Sequence, residues 1–107
     1  VTAVSGSGPA YVFYFIEALE QAARELGLSP EQARKLALST FVGAARLAEE
    51  SAEDVALLRE RVTSRGGTTE AALASMQAGG IKEAIVRAIR AADARAKELG
   101  EQLGKDL

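Results

Sequence analysis

The stretch Tyr11-Val12-Phe13-Tyr14-Phe15-Ile16 is apolar at every position. It lies just inside a helix start. Ser7-Gly8-Pro9 precedes it, and Pro suits the first helical position because its φ is preset and its missing N–H has no intrahelical partner there anyway. A helix that is apolar on all sides is buried on all sides. A chain of 107 residues buries only about 60–65% of its unfolded surface, too little to enclose such a helix by itself. The sequence therefore points to a second subunit that shares the burial. The alternative is a compact monomeric bundle with this helix at its centre.

The rest of the chain is also helical in pattern. Alanine fills 22 of 107 positions, and Ala is the best helix former. Punctuation divides the chain into five helices and no strands. The first runs from about Pro9 to Leu26 and ends at Gly27. The second opens at Ser29-Pro30-Glu31-Gln32, a capping box with Pro at the first turn, and continues to about Glu50. Ser51 is expected to cap a third helix ending near Val62, with Glu53 and Asp54 at its positive end. The fourth spans about Thr69 to Ala78, capped by Gly67 or Thr68 and stopped by Gly79-Gly80. The fifth runs from about Ile81 to Leu103. Its positions Ile81, Ile85, Ala88, Ile89, Ala92, Ala96, Leu99 and Leu103 repeat at steps of three and four. That narrow stripe, built largely of Ala, lets another helix approach closely.

Several function classes drop out on composition. There is no Cys and no His, which excludes a disulfide scaffold and every Ser-His or Cys-His nucleophile system. The lack of Cys fits a reducing, cytoplasmic compartment. A net charge of −2 argues against a nucleic-acid or anionic-membrane surface. The longest apolar run, Ala10 to Ile16, is far short of the roughly 20 residues of a membrane helix. The acidic group Glu49, Glu50, Glu53 and Asp54 lacks regular ligand spacing and reads as a solvated helix junction, so no metal is expected. Gly6-Ser7-Gly8 has the form of half a dinucleotide fingerprint. No βαβ unit surrounds it, and Tyr11 stands where the third glycine belongs. The chain opens on Val1 rather than Met and is read as one domain cut from a longer protein.

One segment is not helical. Val62-Thr63-Ser64-Arg65-Gly66-Gly67-Thr68-Thr69-Glu70 carries two glycines and four hydroxyl side chains immediately before a helix. Unpaired N–H groups and the helix dipole favour an anion at such a helix start. Glycines let backbone approach a ligand closely, and Ser64, Thr68 and Thr69 add hydroxyl donors. The plainer reading is an ordinary capped turn between helices.

Two motifs, Thr2-Ala3-Val4-Ser5-Gly6-Ser7-Gly8-Pro9-Ala10-Tyr11 and Val62-Thr63-Ser64 with Gly66-Gly67-Thr68-Thr69, closely resemble the C-terminal domain of the Δ1-pyrroline-5-carboxylate reductase family. The resemblance covers essentially residues 1–107 in order and spacing. It implies an all-α, five-helix domain that forms an intertwined homodimer, assembled in some members into a ring of dimers. It further implies an enzyme that reduces a cyclic imino acid to proline with NADPH or NADH, the nucleotide being held mainly by an N-terminal Rossmann domain outside this chain. Carried over by position, Ser64, Gly66, Gly67, Thr68 and Thr69 bind the substrate. Ser64 and the backbone at Thr68 and Thr69 hold its carboxylate, and the Thr69 hydroxyl faces the ring nitrogen as the catalytic contact. Arg61, Val62 and Thr63 are cofactor contacts. The glycines of the Ser5 to Gly8 segment shape the path between the domains.

The family usually has Pro where this chain has Arg65. The substitution gives up the rigidity of a fixed φ, and Arg65 is expected to point to solvent, the default for a charged side chain. It is also the one feature that favours a competing reading, a helical oligomerisation module with no chemistry of its own. Under either reading the isolated chain would not turn over.

Overall fold

A computed structural model describes residues 1–106. The chain begins with one wide helical turn, Thr2–Gly6, whose bonds run five residues back, as from Ser7 N–H to the Thr2 carbonyl at 2.9 Å. Five α-helices follow: α1 (Gly8–Glu25), α2 (Pro30–Glu50), α3 (Val55–Arg61), α4 (Thr68–Ala78) and α5 (Ile81–Asp106). Among the described residues there is no strand.

The stops and starts follow local chemistry. Helix α1 closes with paired bonds around Gly27, from the Leu28 N–H to the Ala23 carbonyl (3.1 Å) and from the Gly27 N–H to the Arg24 carbonyl (3.0 Å). This is the Schellman arrangement, which satisfies carbonyls that a helix end leaves open. Helix α2 starts with the expected capping box. The Gln32 N–H donates to Ser29 Oγ at 3.2 Å, and the Ser29 N–H donates to Gln32 Oε1 at 3.0 Å. Helix α3 differs from expectation. Ser51 does not cap it, because its Oγ accepts the Glu53 N–H at 3.1 Å within a local bend, and Asp54 takes the cap position instead. The helix is therefore only 7 residues long. Arg61 Nη1 lies 2.6 Å from Glu53 Oε2, tying its two ends, although a pair this exposed adds at most about 1 kcal/mol. Helix α5 extends three residues beyond the expected end.

Packing is thin. Among the described residues only Ala3, Ala33 and Ala37 are buried. Helices α1 and α2 form an antiparallel pair. Ala33, Ala37 and Phe41 recur every fourth residue on α2, and Phe41 meets Phe15 of α1 with ring centroids 6.1 Å apart and planes tilted by 59°. The N-terminal turn packs on α1 and α5. Tyr11 of α1 donates its hydroxyl to the Ala3 carbonyl at 2.8 Å, so the residue closing the first motif anchors the turn that opens it. Helix α4 packs on α5.

The molecule is far more open than its length requires. Its accessible surface is 8799 Å², whereas a compact domain of this size exposes about 5,700 Å². Its radius of gyration is 17.4 Å, against about 13 Å for a compact chain. Large apolar side chains form part of the exposed surface. Phe13 is 64% exposed and Tyr14 77% exposed, and Ile81, Ile85, Leu99 and Leu103 stand out along α5. Helix α1 is thus not enclosed by the chain's own helices, and the compact monomeric bundle is not what forms. No helix among the described residues is long and apolar enough to cross a membrane.

Candidate functional site

The segment between α3 and α4 is built on a tight turn. The Gly67 N–H donates to the Ser64 carbonyl at 3.1 Å, making a four-residue turn of Ser64, Arg65, Gly66 and Gly67. Gly66, at its third position, has φ +74°, while Arg65, at its second, has no positive φ. That combination defines a type II turn, in which the third residue needs the left-handed region and Pro is common at the second. Gly67 is needed for a different reason. A Cβ there would sit 3.3 Å from the Ser64 carbonyl oxygen and 3.4 Å from Ser64 Cβ, so Ser64 lies directly against the start of α4. Arg65 is exposed, as expected.

Helix α4 opens from this turn with Gly67 at its cap position. Its first backbone bond runs from the Ala71 N–H to the Gly67 carbonyl at 3.2 Å. The N–H groups of Thr68, Thr69 and Glu70 precede that bond and form the positive end of the helix. The structure therefore brings together the Ser64 hydroxyl, three backbone donors and the Thr68 and Thr69 side chains. Thr69 is half-buried and Ser64 and Thr68 are exposed. The loop has the donors, the field and the openness to hold a small anion such as a carboxylate.

Two members of the expected set are differently engaged. The Gly67 N–H is used within the turn, and the Gly66 N–H donates to Glu70 Oε1 at 3.1 Å. These glycines thus contribute shape rather than free donors. On the α3 side, Arg61 is paired with Glu53 and Val62 is exposed. Thr63 turns its hydroxyl back onto the Arg59 carbonyl at 2.6 Å. Of the expected cofactor contacts, Arg61 and Val62 stand at the rim of the loop, while Thr63 is occupied in ending α3. Sequence reasoning gave Glu70 no role. The signal was present, since a Glu at the third position of a helix often reaches back to an N–H before it.

Fold and loop together define a class, an all-α domain with exposed apolar faces and a glycine-rich turn that opens a helix. Comparison with known proteins narrows it. Residues 1–99 match the family described as pyrroline-5-carboxylate reductase dimerisation. The chain is 52% identical over 105 residues to the pyrroline-5-carboxylate reductase of Pseudomonas aeruginosa, covering 98% of this chain and 38% of that protein. It is 45% identical over 102 residues to pyrroline-5-carboxylate reductase 2 of Bacillus subtilis, covering 95% and 37%. Among solved structures, the Plasmodium falciparum pyrroline carboxylate reductase with NADP bound superposes with a TM-score of 0.90 at 37% identity, over 92% of this chain and 39% of that one. The Coxiella burnetii pyrroline-5-carboxylate reductase gives 0.88 at 50% identity, over 92% and 36%. The chain belongs to the pyrroline-5-carboxylate reductase dimerisation family. It spans well under half the length of the curated relatives it matches.

Proposed function

We propose that this chain is the assembly and substrate-holding part of a reductase that converts Δ1-pyrroline-5-carboxylate to L-proline with NADPH or NADH. The observation that carries this reading is the donor array at the start of α4, in a chain of this family. The substrate carboxylate lies against the Thr68 and Thr69 N–H groups and the Ser64 hydroxyl, where helix dipole and hydrogen bonds act together. The Thr69 hydroxyl then orients the ring nitrogen of the imine. A bound reduced nicotinamide would supply hydride to the carbon of the protonated C=N group, leaving the neutral secondary amine and the oxidised nicotinamide. This chain's residues fix the acceptor in place. No strand is present among the described residues to build a nucleotide cradle. We therefore assign most of the dinucleotide to an N-terminal Rossmann domain, leaving Arg61, Val62 and Thr63 beside its nicotinamide end.

Assembly belongs to the same proposal. A second copy covers the exposed faces of α1 and α5. The excess surface of about 3,000 Å² per chain matches a large, obligate, intertwined homodimer rather than a small docking patch. Rings of dimers and a cytoplasmic location follow the family.

The test joins this chain to the N-terminal region of the Pseudomonas aeruginosa relative and follows NAD(P)H oxidation with Δ1-pyrroline-5-carboxylate. The expected result is turnover that Thr69→Ala lowers markedly, while Ser64→Ala mainly raises KM. A folded, dimeric enzyme with no turnover would favour the assembly module without chemistry. Interchanged effects of the two substitutions would overturn the roles given to them.

A further inference from the structure

We propose that Glu70 is a positioning residue whose carboxylate holds the Ser64–Gly67 turn in the form that receives the substrate. This rests on the reading of that turn as the carboxylate site. Glu70 is the third residue of α4, where a Glu side chain usually returns to the N–H of the cap residue. That N–H, on Gly67, is already committed to the Ser64 carbonyl at 3.1 Å. Glu70 Oε1 instead reaches one residue further back and accepts the Gly66 N–H at 3.1 Å.

The consequence is a turn closed from both sides. The Ser64–Gly67 bond closes its inner face, and the Gly66–Glu70 bond ties its left-handed residue to the first turn of α4. Ser64 Cβ lies 3.4 Å from where a Cβ on Gly67 would lie, so the base of the Ser64 side chain keeps its place beside the start of α4. The second position of a type II turn favours Pro, and here it is Arg65. The turn therefore lacks the constraint a proline ring would supply, and the Glu70 bond provides one from the far side. Glu70 also brings a negative charge near the anion it helps to seat, so its value lies in the acceptor oxygen and not in the charge.

The variants that test this are Glu70→Ala, Glu70→Gln and Glu70→Ala combined with Arg65→Pro, in the enzyme formed with the N-terminal region of the Pseudomonas aeruginosa relative. Loss of one exposed hydrogen bond predicts that Glu70→Ala raises KM for Δ1-pyrroline-5-carboxylate about three- to tenfold, with kcat within about twofold. Glu70→Gln, which keeps an acceptor oxygen, stays within about twofold of the parent, and Arg65→Pro recovers most of the loss. An unchanged or lower KM in Glu70→Ala, or a proline that recovers nothing, overturns the proposal. Hydrogen exchange across residues 64–67 gives a reading independent of turnover. Faster exchange in Glu70→Ala supports the role of Glu70, and unchanged exchange overturns it. A parent enzyme with no turnover would count against the reductase reading, while the exchange result would still decide this one.

Discussion

Helices α1 and α2 meet through methyl groups and one pair of rings, whereas the turn before α4 is held by directed hydrogen bonds. On the scaffold, the buried side chains are alanines, and many large apolar residues, Phe13 and Tyr14 among them, face outward. In the loop, the Gly67 N–H closes the turn, the Gly66 N–H meets Glu70, and the Thr68, Thr69 and Glu70 N–H groups stand at the helix start. Under the proposed assembly the scaffold's specificity is deferred to a second copy of the chain, since non-directional burial is decided by whatever covers it. The loop's geometry is already complete within one chain. Changes to the scaffold should act on assembly and stability, and changes to the loop should act on ligand binding with assembly intact.

The sharpest break in that contrast comes from Phe13, which is 64% exposed in the single chain. Phe13→Asp removes little from the chain's own packing but places a charge in the face assigned to the partner. Both subunits carry the change, so self-association should weaken about 100-fold or more, read as a dimer-to-monomer shift in sedimentation. An unaltered dimer would move the interface away from α1.

A smaller effect is expected where α1 and α2 touch. Ala37 is 5% exposed, and Ala37→Leu forces bulk into a contact sized for a methyl group. The cost should be about 1–3 kcal/mol, seen as a lower denaturation midpoint. A neutral result would show the pair to be less closely packed than the methyl contacts imply.

The smallest effect belongs to the loop. Gly66 has φ +74°, and Gly66→Ala costs roughly 1–2 kcal/mol in that conformation. The loss should appear as a raised KM for Δ1-pyrroline-5-carboxylate while the sedimentation profile stays unchanged. A change in assembly instead would erase the division between the two regions.

How much of this was legible in the sequence differs by region. The Ser29 and Gln32 capping box, the stop at Gly27 and the all-round apolar start of α1 follow from local chemistry, and each appears as read. The start of α3 was misread because Ser51 has two competing uses. Its hydroxyl can cap a helix or accept the N–H two residues on, and it does the latter at 3.1 Å. In the loop, residue types were enough to suggest an anion site and a need for glycine. They did not reveal that the Gly66 and Gly67 N–H groups are already taken, because that depends on the type II turn and on Glu70 reaching past the cap. The core was the least legible part. Nothing in the pattern of large apolar residues indicates that only alanines are buried among the described residues; the proposed assembly would cover the other apolar faces.

The central claim is that one chain is an unfinished surface that a second copy completes. Sedimentation velocity of the chain at micromolar concentration tests it most directly. The account predicts a species of twice the 11.2 kDa chain mass, or a multiple of that dimer. A stable monomer under those conditions would contradict it.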